Sequence, residues 1–309
     1  MKEKIFKKVV RLMGNRFEIS VVDRREDWAI QIIDIAITEI KRIEKLLTTF
    51  SDDSQTQLIN QNAGICPVQV DQEVFDLIAR ANRISELTQG AFDLSYGSID
   101  KSLWNFDQNM TSLPTPEVAG KMIRLINYKN IVLGSDQKTV FLKEKGMRIG
   151  FGGIGKGYAA EMAKRKMTEH GALSGVVNAS GDLTTWGKQP DGAEWTIGIA
   201  DPDKKDKPFS YMKISNMAVA TSGNYEKFVM INGKRFSHTI DPKTGLPVSG
   251  IRSVTIISPN AELSDALATP VTVMGVKVGL SLINQMENIA CMIIDDQNKI
   301  FTSKNIRVT

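Results

Sequence analysis

The sequence predicts an α+β fold in which helices pack on mixed, largely antiparallel sheets. Three observations carry this. Long segments with helical periodicity stand near the N-terminus and in the middle of the chain. Short alternating apolar segments fill the second half. No regular strand–helix–strand alternation joins them, as a doubly wound parallel sheet would require.

Taken in order, RFEISVV (16–22) alternates as a strand. WAIQIIDIAITEIKRIEKLLTTF (28–50) sets Ile32, Ile35, Ile40, Ile43 and Leu47 near helical spacing, which is a long amphipathic helix. DQEVFDLIARANRISELTQG (71–90) is a second helix, stopped by Gly90. SLWNFDQNMTSLPTPEV (102–118) reads as a loop around Pro114 and Pro116. NIVLGSDQKTVFLKEKGMRIG (130–150) alternates as a hairpin turning at 134–137, with MRIG as a further short strand. GKGYAAEMAKRKMTEHG (155–171) is a third helix closed by Gly171, with His170 as an exposed cation at its end. Strands follow at SGVVNASGD, WTIGIADP, SYMKISNMAVATSG, FSHTIDP and IRSVTIIS. A short helix near ELSDALATPVTVMG and a strand and turn near IACMIIDDQNKIFTS complete the chain.

Composition narrows the function classes. The 309 residues are 42% hydrophobic and 24% charged, ordinary for a globular chain. With 39 basic against 35 acidic residues the net charge is +4, too balanced to indicate nucleic acid. Cys66 and Cys291 are far apart and outside any C-x-x-C pair, so zinc and disulfide frameworks are not expected, and buried reduced thiols are. MKEKIFKKVV is followed by no apolar core of a signal peptide, and no run approaches the ~20 apolar residues of a membrane span. The expected location is cytoplasmic, unless a leader has been removed.

GFGGIGKG (150–157) fits two phosphate patterns at once. Gly150, Gly155 and Lys156 open a P-loop, but the next residue is Gly157 rather than the Ser or Thr that would hold magnesium. Gly150, Gly152 and Gly155 fit the dinucleotide fingerprint, but no βαβ unit surrounds them, and Glu169, the acid near the required ~20-residue distance, stands too close to the helix end. What remains is shared physics: bare backbone and Lys156 at a helix start admit an anionic group. In SDALAT (264–269), with Ser264 as N-cap, Asp265 and Thr269 fall at i and i+4 on one helix face. They offer two oxygens to a hard cation such as magnesium, and Pro270 sits early enough in such a helix to cost little. RFSHTIDPKTGLPVSG (235–250) gathers Arg235, His238 and Asp241 in a polar turn, where a histidine can act as acid or base or simply bond the turn.

The order GGIGKGYAAE, NASGDL, ATSGNYEKF, HTIDPKTGLP, SDALAT resembles the ApbE family of FAD:protein FMN transferases. LMGNRFEI (12–19), TTFSDDSQTQLINQNAG (48–64) and QGAFDLSYGSIDKSLWNF (89–106) extend the resemblance over nearly the whole chain. It implies one ApbE-like, T-fold-related domain over 1–309. It implies magnesium, FAD as substrate, and passage of FMN to a Thr or Ser hydroxyl of an acceptor flavoprotein as AMP leaves. Acceptors of this family often belong to membrane redox complexes. By resemblance, Asp265 and Thr269 are metal ligands, helped by backbone oxygens of Gly155 and Ala268. Met13 and Phe50 match flavin contacts, and Ala91, Phe92 and Asp93 a nucleotide-binding block. Gly152, Lys156, Tyr158, Ser222, His238 and Thr239 complete the cofactor-binding set. His238 matches the residue that activates the acceptor hydroxyl, with Asp241 orienting it or acting in its place, and Asp265 serves the reaction through the metal. Two departures stand out. Gly150 occupies a position where many members carry Asp, and Ser180 one where glycine is frequent. A magnesium-dependent FAD pyrophosphatase would use the same residues; a non-catalytic FAD-storage protein is the other alternative, against which an intact Asp265, Thr269 and His238 argue.

Overall fold

A computed structural model of the chain describes residues 2–100, 102, 111–200, 208–223 and 228–306. The expected loop at 103–110, the end of WTIGIADP at 201–202, and Asn224–Lys227 of ATSGNYEKF lie outside the described residues.

The N-terminal strands β1 (Lys4–Leu12) and β2 (Asn15–Asp23) form a hairpin. Three helices and a short strand follow: α1 (Glu26–Leu47), α2 (Gln55–Gln61), β3 (Val68–Gln69) and α3 (Gln72–Leu87). Next come α4 (Pro116–Ile123), β4 (Ile131–Gly134), β5 (Thr139–Leu142) and α5 (Gly155–Glu169). The strand-rich half holds β6 (Gly175–Ala179), β7 (Asp182–Trp186), β8 (Trp195–Ala200), β9 (Pro208–Ile214), β10 (Ala218–Gly223), β11 (Phe228–Ile231), β12 (Lys234–Ser237) and β13 (Ile251–Ser258). The chain closes with α6 (Ala261–Ile283), β14 (Ala290–Asp295) and β15 (Ile300–Thr302).

Eight strands form one antiparallel sheet in the order β1-β2-β6-β7-β10-β13-β14-β15. Helix α1 packs on β1 and β2, α5 on β6 and β7, and α6 on β10 and β13. Between helices and sheet lies the main core, with Phe17, Ile19, Ile40, Ile43 and Ile256 fully buried. Burying side chains of this size stabilises by ~1.5–3 kcal/mol each. Helix α5 is central and presents Gly155, Gly157, Ala159, Ala160 and Ala163 inward. These small residues let α1 and α6 approach it closely. The β8–β9 ribbon covers the other side of the sheet, through Ile214 against Leu183, Val219 and Ile257.

Several expectations are corrected. The β1 strand is missed by pattern because Lys4, Lys7, Lys8 and Arg11 interrupt its alternation; it is a charged edge strand, the usual protection against edge pairing. MRIG is not a strand. The Asn60 side chain donates to the Ile149 carbonyl (3.1 Å) and accepts from its amide (2.7 Å), replacing a strand partner. Thr115 caps α4, so Pro116 opens a helix rather than continuing a loop. The three expected main helices become six among the described residues, since α2 and α4 are also helical and the "short" α6 runs for 23 residues with a break at Gly275 (φ 80°, ψ 170°). Its N-cap is Asn260, which accepts from the Leu263 amide, not Ser264. Ser264 lies inside, bonded to the Ser258 hydroxyl. Pro270 is therefore in the helix interior, where it removes the donor that would meet the Ala266 carbonyl. At mean hydropathy 1.6, α6 is long and apolar enough to cross a membrane, contrary to the reading of the sequence. Its packing on β10, β13 and α5 is that of a core helix. Cys291 is buried as expected, but Cys66 is exposed.

Candidate functional site: a buried carboxylate at the glycine loop

The glycine loop runs from residue 150 into the start of α5, and α6 meets it at Gly157. A Cβ there would stand 2.7 Å from Asp265 Cβ and closer still to the Ala261 carbonyl oxygen, so only glycine permits this contact. The Gly157 amide donates to Asp265 Oδ2 (2.9 Å), which fixes the carboxylate at the helix start. Lys156 pairs with Asp182 on β7, and Asp182 accepts from the Thr221 amide of β10 (3.3 Å). Two acids and one ammonium thus share a site in which Asp182 is 3% and Asp265 6% exposed. Burial first, then the charge of Asp182, pushes the Asp265 pKa up to about 7, against Lys156 and the amides of Gly157 and Lys156. Burial also raises that of Asp182 against the pull of Lys156. Burial works against the Lys156 ammonium, yet Asp182 and then Asp265 hold its pKa above the ordinary lysine value.

The donor set fits a hard cation. With both carboxylates ionised, two acids and one ammonium leave one excess buried negative charge, which a buried site tolerates only when a proton or a cation compensates it. Among the described residues no group of three or more His, Cys, Asp or Glu side chains is placed to hold a metal, so a soft-metal centre has no ligands there. One carboxylate with hydroxyl and carbonyl oxygens is the hard-cation alternative. Thr269 is half-buried one turn beyond Asp265 on α6. The Gly155 carbonyl lies at the first turn of α5. The Ala268 carbonyl, inside α6, accepts from the Thr272 hydroxyl (3.0 Å).

Around this centre the other expected residues divide. Met13, in the β1–β2 turn with φ 50°, packs its methyl towards Gly155 beside Leu47. Its left-handed backbone, with that of Gly14, is what the two-residue β1–β2 hairpin turn requires. Phe50, three residues past Leu47, is 98% exposed and free to receive a flat ligand. Phe92 lies under the loop, 3.5 Å from where a Cβ on Gly153 would stand. Gly152 is exposed and a Cβ on it would meet nothing, so the fold itself does not require glycine there; the bare backbone leaves room for a ligand. Ser222 is half-buried on β10, next to Thr221.

Others serve the scaffold. Ala91 is buried. The Asp93 carboxylate accepts from the Ser95 amide, the Ser95 hydroxyl and the Tyr128 amide, so it anchors the short turn 94–98. Tyr158 turns to α3, where its hydroxyl donates to Glu73 and Arg80 covers its ring. Asp241 accepts from the Lys243 amide and the Thr244 hydroxyl and so builds the 241–245 turn. The Thr239 amide donates to the Ser237 hydroxyl, and the Ile240 amide to Tyr96. Tyr96 therefore ties the GAFD block to the half-buried His238 segment. Two residues stand out only in the structure. Asp182 faces Lys156 from a strand, and Asn60 clamps the backbone before the loop. Both sit inside recognisable motifs, but nothing local distinguishes them from turn-forming polar residues.

The ApbE family model matches residues 13–293. The chain belongs to the ApbE family. It is 30% identical to the FAD:protein FMN transferase of Klebsiella pneumoniae over 96% of this chain and 91% of that one. It is 29% identical to the FAD:protein FMN transferase of Treponema pallidum, over 89% and 80%. Among solved structures, the ApbE protein of Thermotoga maritima superposes with a TM-score of 0.86 at 29% identity, covering 97% of each chain. The apo flavinyl transferase ApbE of Pseudomonas stutzeri, at 24% identity and a TM-score of 0.85, shares the fold.

Proposed function

We propose that the chain is an FAD:protein FMN transferase that works with magnesium, passing FMN from FAD to a Thr or Ser hydroxyl of a target flavoprotein and releasing AMP. The observation that carries this reading is Asp265. It is a buried carboxylate held by the amide at the start of α5, with one negative charge in excess, beside a loop of unshielded backbone. Its relatives' names supply the reaction class.

Asp265 and Thr269, with the carbonyls of Gly155 and Ala268, are the residues that would hold the cation. When bound there, magnesium would neutralise charge on the pyrophosphate as its bridging P–O bond breaks. The chain's own groups do the remaining work. The loop backbone around Gly152 and the helix start at Gly155 receive the phosphates. Phe50 and Met13 pack against the flavin ring and fix its orientation. His238 takes the proton from the attacking hydroxyl, and the AMP phosphate departs with the electron pair of the broken bond. Transfer rather than hydrolysis depends on the acceptor hydroxyl displacing water at that point.

The test is incubation with FAD, magnesium and a flavoprotein bearing a candidate threonine acceptor. A fluorescent flavin band that survives a denaturing gel is the expected result. Free FMN and AMP without a band would indicate a pyrophosphatase, and bound FAD without turnover a storage protein. Either would overturn the proposal.

A further inference from the structure

Lys156, expected from the sequence among the cofactor contacts, is paired inside the buried cluster instead of standing free at the helix start. Lys156 directly precedes Gly157, whose amide holds Asp265, so its ammonium is a competitor for any cation that Asp265 holds. A site meant for a cation should therefore keep that ammonium occupied elsewhere. The geometry does this. Lys156 is paired with Asp182, at the first position of β7, and not with Asp265. Asp182 is itself fixed, since the Thr221 amide donates to its other oxygen. The β6–β7 turn just before it is tightened by the Gly181 amide donating to Asn178 (2.8 Å). Asp265 faces the cluster from the other side, held by the Gly157 amide.

We infer that Asp182 is a positioning residue for the cation site: it sequesters the Lys156 ammonium so that the full charge of Asp265 is available to the metal. The inference rests on the functional reading above. It also gives the N-A-S-G-D hairpin a task beyond turning the chain. Its Asp is the counter-ion that makes a lysine next to a metal site harmless to the metal. The paired Lys156–Asp182 unit is neutral, and Asp265 alone sets the net charge.

Charge accounting then gives an ordered series. In Asp182→Asn the side chain keeps its shape and an oxygen for the Thr221 amide, but Lys156 loses its partner. Asp265 becomes the remaining carboxylate for it, and the metal must displace an ion pair. An added ion pair to displace weakens metal binding about tenfold or more. Removing the lysine as well, in Asp182→Asn/Lys156→Gln, returns Asp265 to the metal and restores affinity to within about threefold of the parent. Lys156→Gln alone leaves both acids uncompensated and binds the cation more tightly than the parent.

The experiment titrates Mn2+ into the FAD-loaded parent and the three variants, reading free Mn2+ by electron paramagnetic resonance and folding by circular dichroism. The expected order of affinity is Lys156→Gln above the parent, the double variant near the parent, and Asp182→Asn at least about tenfold weaker. A merely structural Asp182 would leave the double variant as weak as the single one. That result, or an unchanged Asp182→Asn, overturns the inference. Should Asp182→Asn not fold, Lys156→Gln still decides, since equal or weaker binding overturns it. A parent that takes up FAD but no Mn2+ overturns the metal-dependent reading itself, and with it this inference.

Discussion

Gly157→Ala is the substitution that most sharply separates packing from propensity. In an exposed helix it would stabilise, because alanine gains roughly 0.5–1 kcal/mol over glycine. Here the added methyl would stand 2.7 Å from Asp265 Cβ and 2.8 Å from the Ala261 carbonyl carbon. Carbon atoms in contact sit at about 3.5–4.0 Å, so α5 and α6 must part by about 1 Å. The obstacle is helix backbone and a buried Cβ, not the end of a flexible side chain. Overpacking of this kind costs about 1–3 kcal/mol, which outweighs the propensity gain. The same movement stretches the 2.9 Å bond from the Gly157 amide to Asp265 and removes the carboxylate's anchor. A net loss of about 1–2 kcal/mol would lower Tm by roughly 1.5–3 °C in a chain of this size. Differential scanning calorimetry reads the stability, and Mn2+ titration reads the site. A variant that melts higher than the parent and binds Mn2+ equally well would refute the close approach of α5 and α6.

Three further outcomes are expected. Phe50→Ala should leave Tm unchanged, because the ring is 98% exposed, while FAD affinity measured by fluorescence quenching falls about tenfold, the value of one lost stacking contact of ~1–3 kcal/mol. Gly152→Ala should also leave the fold intact, since its Cβ meets no atom, yet weaken FAD binding about tenfold through crowding of the phosphate path. Glu73→Gln tests the network joining α1, α3 and α5. Arg42 above all, aided by the Tyr158 hydroxyl and opposed by burial, holds the Glu73 carboxyl below the usual range. A depressed carboxylate stabilises fully above its unfolded pKa of ~4.3 and loses that contribution as pH falls through the lower folded value. The Tm deficit of Glu73→Gln relative to the parent should therefore be present at neutral pH and shrink in acid below that range. A deficit independent of pH would refute the ionic origin.

Much of this architecture was legible because periodicity reports burial. The positions Ile32, Ile40, Ile43 and Leu47 in α1 are buried as their spacing requires. Gly90 (φ 82°) and Gly171 (φ 91°) stand just past helix ends, in the left-handed backbone expected of them. Periodicity failed where neighbours override local signals. A charged edge strand carries no apolar alternation, and Ser264 looked like a cap until Asn260 proved to be the one that bonds. In the site, Asp265 was legible because a motif carried it. The partition of the other residues was not. Asp93, Tyr158 and Asp241 have the right chemistry for ligands, yet their oxygens are engaged in holding turns and helices. Asp182 has the chemistry of a turn residue, and only the packing of α5 on β7 brings it to Lys156.

The central claim is that Asp265 holds the cation through which FMN is transferred. Intact-mass spectrometry of an acceptor flavoprotein, after incubation with FAD and either the parent or Asp265→Asn, addresses it most directly. The account predicts an FMN adduct with the parent in magnesium, none in EDTA, and none with Asp265→Asn although that variant still binds FAD. An adduct formed equally by Asp265→Asn, or by the parent in EDTA, would contradict it.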